Sequence, residues 1–383
     1  MKTGSLRTVA VACAAVLAAS TVLGCASRPK TPRDVAFRAA ADRGLGFQGR
    51  ALIVDMGQNG PVRLRADGVR LDGEFLFLVE ENHRLDALGR DDLRMEWSYD
   101  ALRAPLKFPP ALTAISCLGM IEGQIHEVDL LYGHGKGAIH FDMGPSAPFV
   151  ATAGTAFVPC WGGSRGEKTL RTLNLVTGLE GWGWRTPGDI RGAMAIAGAS
   201  PRQVVYFGTD GGDVYAIPAA ESAAAAPDQA LWGQRLHGPV TADLAVSGED
   251  LFVACEDRFL YCLDRITGVI RWSSPHEAAL KAGPVATAGA VYQARPGGGL
   301  WCHDRATGRV RWKAAGATRL AVERDGKSVV VMKDGSLAAV DGSGTVTGSM
   351  GSGGYVYPTN TMDDSLYAVA MDGYVIKLEK GGE

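Results

Sequence analysis

From residue 50 onward, short apolar runs alternate with polar, glycine-bearing breaks. Leu251-Phe-Val-Ala-Cys255 is followed by Glu256-Asp-Arg258, Phe259-Leu-Tyr-Cys-Leu263, Asp264-Arg-Ile-Thr-Gly268 and Val269-Ile-Arg-Trp272. Short runs rich in β-branched and aromatic residues, bounded by Gly, Asp and Asn, predict strands joined by hairpins.

The pattern repeats. Asp264-Arg-Ile-Thr-Gly-Val-Ile-Arg-Trp272 and Asp304-Arg-Ala-Thr-Gly-Arg-Val-Arg-Trp312 share six of nine residues, and Asn174-Leu-Val-Thr-Gly-Leu-Glu-Gly-Trp182 is a third copy. Weaker copies end at Trp97, Phe141, Trp232 and Ser349, so the end points are spaced by 44, 41, 50, 40, 40 and 37 residues. That is the period of a propeller blade. A second marker recurs with it: Val150-Ala-Thr-Ala-Gly154 returns as Val285-Ala-Thr-Ala-Gly289, each after a proline, Pro148 and Pro284. Each unit predicts four strands in an antiparallel meander. Asp and Thr cap the last turn, Gly takes its left-handed position, and Trp buries itself in the neighbouring unit.

Seven units are complete. The strands expected over 365–370 and 373–378 lack an outer partner, which Arg50-Ala-Leu-Ile-Val-Asp55 can supply. The expectation is an all-β single propeller of eight four-stranded antiparallel blades, with seven as the alternative count.

The N-terminus reads differently. Lys2 and Arg7 precede an apolar run over residues 9–23, which is too short to span a bilayer. It ends Val22-Leu23-Gly24-Cys25, which resembles a bacterial lipobox. The resemblance implies a signal peptide over 1–24 and a lipid on Cys25; the alternative is an ordinary secretory signal with an incidental cysteine. Residues 25–47 are expected to be a membrane tether, with one short helix over 35–41, and residues 48–380 the propeller. Ala26 after Cys25 favours the outer membrane, facing the periplasm.

Composition narrows the function. Lys+Arg 39 against Asp+Glu 41 leaves no basic footprint for nucleic acid, and Gly 51 with Pro 18 argues against a helical bundle. Seven cysteines are present; with Cys13 and Cys25 set aside, Cys117, Cys160, Cys255, Cys262 and Cys302 form neither adjacent pairs nor CxxC, so they read as buried hydrophobes. Gly162-Gly-Ser164-Arg-Gly166 fits G-x-S-x-G but precedes strand sequence, not the helix a nucleophile elbow needs, and Glu167 interrupts a P-loop reading around Lys168. The seven histidines (His83, His126, His134, His140, His237, His276 and His303) show no i, i+4 spacing, and Asp257, Asp264, Asp304 and Asp341 fall in turns. No catalytic, cofactor-binding or metal-ligating residue is assigned.

Residues 259–272 and 300–312 resemble the pyrroloquinoline-quinone (PQQ)-type propeller repeat, and Tyr215-Ala-Ile217 and Leu366-Tyr-Ala-Val369 match its first half. The resemblance implies an inter-blade girdle of Trp97, Trp182, Trp232, Trp272 and Trp312, from which Phe141 and Ser349 depart. Quinoprotein alcohol dehydrogenases share the repeat, but they carry adjacent cysteines, which this sequence lacks, and a calcium site whose ligands no motif here places. The plan of lipobox, tether and one propeller is similar to the BamB family of outer-membrane assembly lipoproteins. That implies a non-catalytic scaffold without cofactor. Its partner would be an envelope protein, an outer-membrane assembly subunit, and its only membrane contact the lipid. The loops at 162–168 and 219–228 are candidate contact segments. The alternative function is a small PQQ-dependent quinoprotein dehydrogenase.

Overall fold

The computed structural model describes residues 32–45, 50–59, 62–100, 104–141, 144–162, 169–219 and 230–379. The signal peptide, Cys25, the Ser164 loop and most of the 219–228 insertion lie outside these residues.

Eight four-stranded antiparallel sheets follow one another. Blades 1 to 7 run over residues 70–99, 111–140, 150–184, 195–235, 245–275, 285–314 and 317–350. In each, four consecutive strands form a meander. First strands of neighbouring blades touch, as Val150–Ala151 does with Ala111–Leu112 and Ala195–Ala197, so the first strands line the axis and the fourth strands the outside. Blade 8 takes Tyr355–Val356, Leu366–Ala370 and Tyr374–Leu378 from the C-terminus, and Ala51–Asp55 from the N-terminus as its outer strand. The register pairs Ala51 with Leu378 and Asp55 with Tyr374. The ring has eight blades and closes by joining its two chain ends.

Middle strands are buried on both faces, which is why they read as continuous apolar runs. Along Asp250–Ala254, Leu251 and Val253 pack toward blade 4, whereas Phe252 and Ala254 pack toward blade 6. A sheet so built cannot stand alone, and radial stacking buries both its faces.

Two repeat ends move. In the third hairpin of blades 1, 2, 3, 5, 6 and 7 the register shifts by one residue, as between Cys262 and Leu263, which sets Trp272 opposite Cys262; in blade 4 Trp232 pairs with Ala216 without a shift. The residues in that place are Gly137 in blade 2 and Gly348 in blade 7, opposite Glu127 and Ala339. Phe141 and Ser349 are therefore not the repeat ends; Phe141 is buried in the core shared by blades 2 and 3.

The helix expected over 35–41 is longer, Pro32–Leu45 (α1), and it does not stand off from the ring. Phe37, Ala41 and Leu45, four apart, form one stripe that packs on blades 7 and 8, with Phe37 edge-on to Tyr355 at 4.8 Å. Gly44 lies against the backbone of Ser349, where a Cβ would have no room. Helix α1 thus covers blade 7 where its girdle tryptophan is missing.

Candidate interaction surface

In blades 1, 4 and 5 the girdle tryptophan ties its blade to a turn of the next. The indole N–H groups of Trp97, Trp232 and Trp272 donate to the carbonyls of Leu130, Arg265 and Arg305 at 2.8, 3.0 and 2.9 Å. The same turns present Gly133, Gly268 and Gly308 directly under those indoles, where a Cβ would come within 2.5 to 2.6 Å of a ring. The turn glycine therefore has two duties: a positive φ (75° at Gly268) and a flat seat for the tryptophan.

Asp264 holds that turn in shape, as its sequence position predicts. Its Oδ1 accepts from the N–H groups of Ile266 and Thr267 at 2.9 and 2.8 Å. Hydrogen bonding by Arg271, then by Thr267, lowers its carboxyl to about 2. Asp304 is lowered to about 2 by Arg311 and Thr307. Asn174 makes the same two backbone contacts in blade 3 without a charge. Asp257 and Asp341 also cap turns. These aspartates shape the backbone.

The meander puts the first and third turns of blades 1 to 7, and the first turn of blade 8, on one rim of the ring, and the second turns and blade connectors on the other. On the first rim several tips are apolar and exposed. Leu131 and Tyr132 in blade 2 are 68% and 69% accessible, and Val176 and Leu179 in blade 3 are 84% and 68%. Ile115 is exposed beside them, its carbonyl accepting from the Leu130 N–H at 3.0 Å. Ile266 and Val269 continue the feature in blade 5. The corresponding tip of blade 1 is Arg90-Asp91-Asp92, and that of blade 7 Gly342-Ser343-Gly344. Single exposed apolar residues are ordinary; adjacent turns that each expose two large ones make this rim the candidate interaction surface. Sequence reasoning missed these residues. The signal was the apolar side chains within, and just after, the Asx-x-x-Thr-Gly turn.

The axis holds a cavity of about 460 Å³, lined mainly by Ala, Val, Pro, Leu and Ile from the first strands of blades 1 to 5. Among the described residues its one lining cation, Arg70, pairs with Asp72 at 2.7 Å. PQQ bears three carboxylates and needs cations, with acidic and amide ligands for Ca²⁺. The donor set of this cavity does not fit it. Among the described residues, no three His, Cys, Asp or Glu side chains are grouped to hold a metal ion.

The cysteines are as the sequence suggests. All five are free and buried. Burial raises Cys117, Cys160, Cys255 and Cys262 to about 12 and Cys302 to about 11, which leaves no thiolate for chemistry. The backbone N–H of Gly162, at the edge of the Ser164 loop, donates to Asp189 at 3.0 Å. Of the histidines, two meet across a blade boundary: His276 and His303, with ring centroids 5.1 Å apart.

Residues 221–375 match the family described as "Outer membrane protein assembly factor BamB". No curated protein matches the sequence. Among solved structures, BamB from Moraxella catarrhalis superposes with a TM-score of 0.63 at 16% identity, covering 85% of this chain and 99% of that one. The computationally designed Ika8 protein superposes at 0.60 and 13% identity, covering 83% and 96%. The chain resembles BamB in repeat and in fold. At these identities the structural likeness concerns the fold, which a designed ring shares.

Proposed function

We propose that this chain is a non-catalytic, lipid-anchored scaffold of the bacterial envelope that holds a protein of the outer-membrane assembly machinery on its turn rim. The observation that carries the reading is the run of exposed apolar tips, Leu131, Tyr132, Val176 and Leu179, on a surface the ring does not use for its own packing. A closed ring holds such tips rigidly, so little conformational entropy is lost when a partner covers them. The match of residues 221–375 supports the class of partner. Lipid on Cys25 would hold the ring at the outer membrane, facing the periplasm, and among the described residues no helix is long and apolar enough to cross a membrane.

The dehydrogenase alternative requires the axial cavity to take PQQ, and the neutralised Arg70 argues against it. Titrating the purified protein with PQQ and Ca²⁺ while following dye reduction separates the two. A scaffold leaves the dye oxidised with alcohol and sugar substrates; saturable PQQ-dependent reduction overturns the reading.

A further inference from the structure

We propose that His276, His303 and the amide oxygen of Gln293 form a binding site for a tetrahedral transition-metal cation of the zinc class, at the boundary of blades 5 and 6. The repeat itself makes the pair conspicuous. The position just before the capped turn is held, through the same register shift, by Leu88, Val128, Leu173, Leu263 and Val340; in blade 6 it is His303. His276 follows the repeat spacing from Leu236, which lies with Leu263 in the apolar interface of blades 4 and 5. One blade later, both apolar partners have become histidine.

Three of their four nitrogens are unused. His303 is 0% accessible and His276 6%. His303 Nδ1 lies 3.1 Å from the Gly308 carbonyl, which can only accept, so Nδ1 carries the proton and Nε2 keeps its lone pair. This is the outer hydrogen bond that orients a metal-ligating histidine. His303 Nε2 and both nitrogens of His276 are buried without a hydrogen-bond partner. Gln293 spends its amide N–H groups on the carbonyls of Ala282 and Ala294 at 2.8 and 2.9 Å, and its Oε1 is buried and unpartnered as well. Gln293 pairs with Trp301 and Val291 with His303, so Gln293 and His303 are diagonal neighbours on the blade face that His276 covers. Leaving such atoms unpaired in a core is costly.

The chemistry of these atoms selects a cation, since His303 Nε2, one nitrogen of His276 and Gln293 Oε1 all offer lone pairs. The ring separation selects its size. Two imidazoles on one tetrahedral ion, with bonds of about 2.0 to 2.1 Å, hold their centroids about 5 Å apart; the observed value is 5.1 Å. Arg295 and Lys313, over the Trp301 ring at 5.0 and 3.5 Å, are offset by Glu277 at 2.9 and 3.8 Å.

The test is a Co²⁺ titration of the full-length, untagged protein, read by visible absorption, with Zn²⁺ as competitor. One equivalent should give intense tetrahedral bands that Zn²⁺ abolishes. His276→Leu and His303→Leu restore the arrangement of blades 4 and 5. They should keep the fold by circular dichroism and weaken binding by at least about tenfold. Absence of saturable binding below millimolar metal overturns the site, as does undiminished binding by folded leucine variants. Should a variant fail to fold, histidine ¹⁵N shifts of the wild type decide: Zn²⁺ must move two buried imidazoles, and movement of exposed histidines alone refutes the site.

Discussion

The indole of Trp272 donates to the backbone carbonyl of Arg305 at 2.9 Å, across the boundary between blades 5 and 6. The residue is at once the end of one repeat and the seat of the next. Trp272→Ala removes that bond and the packing over Gly308, and should lower stability by less than the ~3–5 kcal/mol of a core aromatic truncation, because the side chain is half-buried. Gly308→Ala should also destabilise, because its Cβ would meet the ring at 2.5 Å and its φ is 69°. Urea midpoints of the two variants measure both effects.

Helix α1 belongs to the folded body. A segment read as a tether would be dispensable for stability, but Phe37, Ala41 and Leu45 are buried on blades 7 and 8. A chain beginning at residue 46 should therefore melt below the full-length protein, and Phe37→Ala should reproduce part of the loss. A chain beginning at residue 56 lacks the strand paired from Ala51 to Asp55 and should lose far more. Equal melting temperatures for all three chains contradict the closure.

The turn aspartates set an acid limb. Asp264 and Asp304 are held at about 2 in the fold, against about 3.9 for a free aspartate. A lowered folded-state value contributes stability above the unfolded value and loses it as pH falls from about 4 through 2. Both groups lie near the surface, so screening keeps the effect modest. Asp264→Asn and Asp304→Asn keep the turn, as Asn174 does naturally. The double variant should show a flatter decline in thermal midpoint between pH 4 and pH 2 than the wild type.

Much of this was readable in the chain because a repeat states its own register. The closure was legible in Arg50-Ala-Leu-Ile-Val-Asp55, an orphan strand facing an unfinished unit. The repeat ends at Gly137 and Gly348 were not, since a bulge displaces the register and a glycine offers no aromatic landmark. The docking of α1 was hidden because three apolar residues in an Arg- and Ala-rich segment look solvated until blade 7 is known to lack its tryptophan. The rim was overlooked because Leu179 and Val269 read as the starts of strands rather than as exposed tips. His276 and His303 are 27 residues apart in sequence, and only blade stacking brings them to 5.1 Å.

Cys25→Ser should move the protein from the membrane fraction to the soluble one, and metabolic labelling with a fatty acid should mark the wild type alone. A variant that still floats with membranes contradicts the lipid anchor.

The scaffold claim is tested most directly by a photo-crosslinking residue placed at Leu179 in cells, with Trp161 on the opposite rim as the control. Leu179 is 68% accessible and Trp161 48%, so neither replacement should disturb the fold. The adduct from position 179 should contain a subunit of the outer-membrane assembly machinery by mass spectrometry, and Val176→Asp should abolish it. No adduct at 179, or the same adduct in equal yield from 161, would contradict the account.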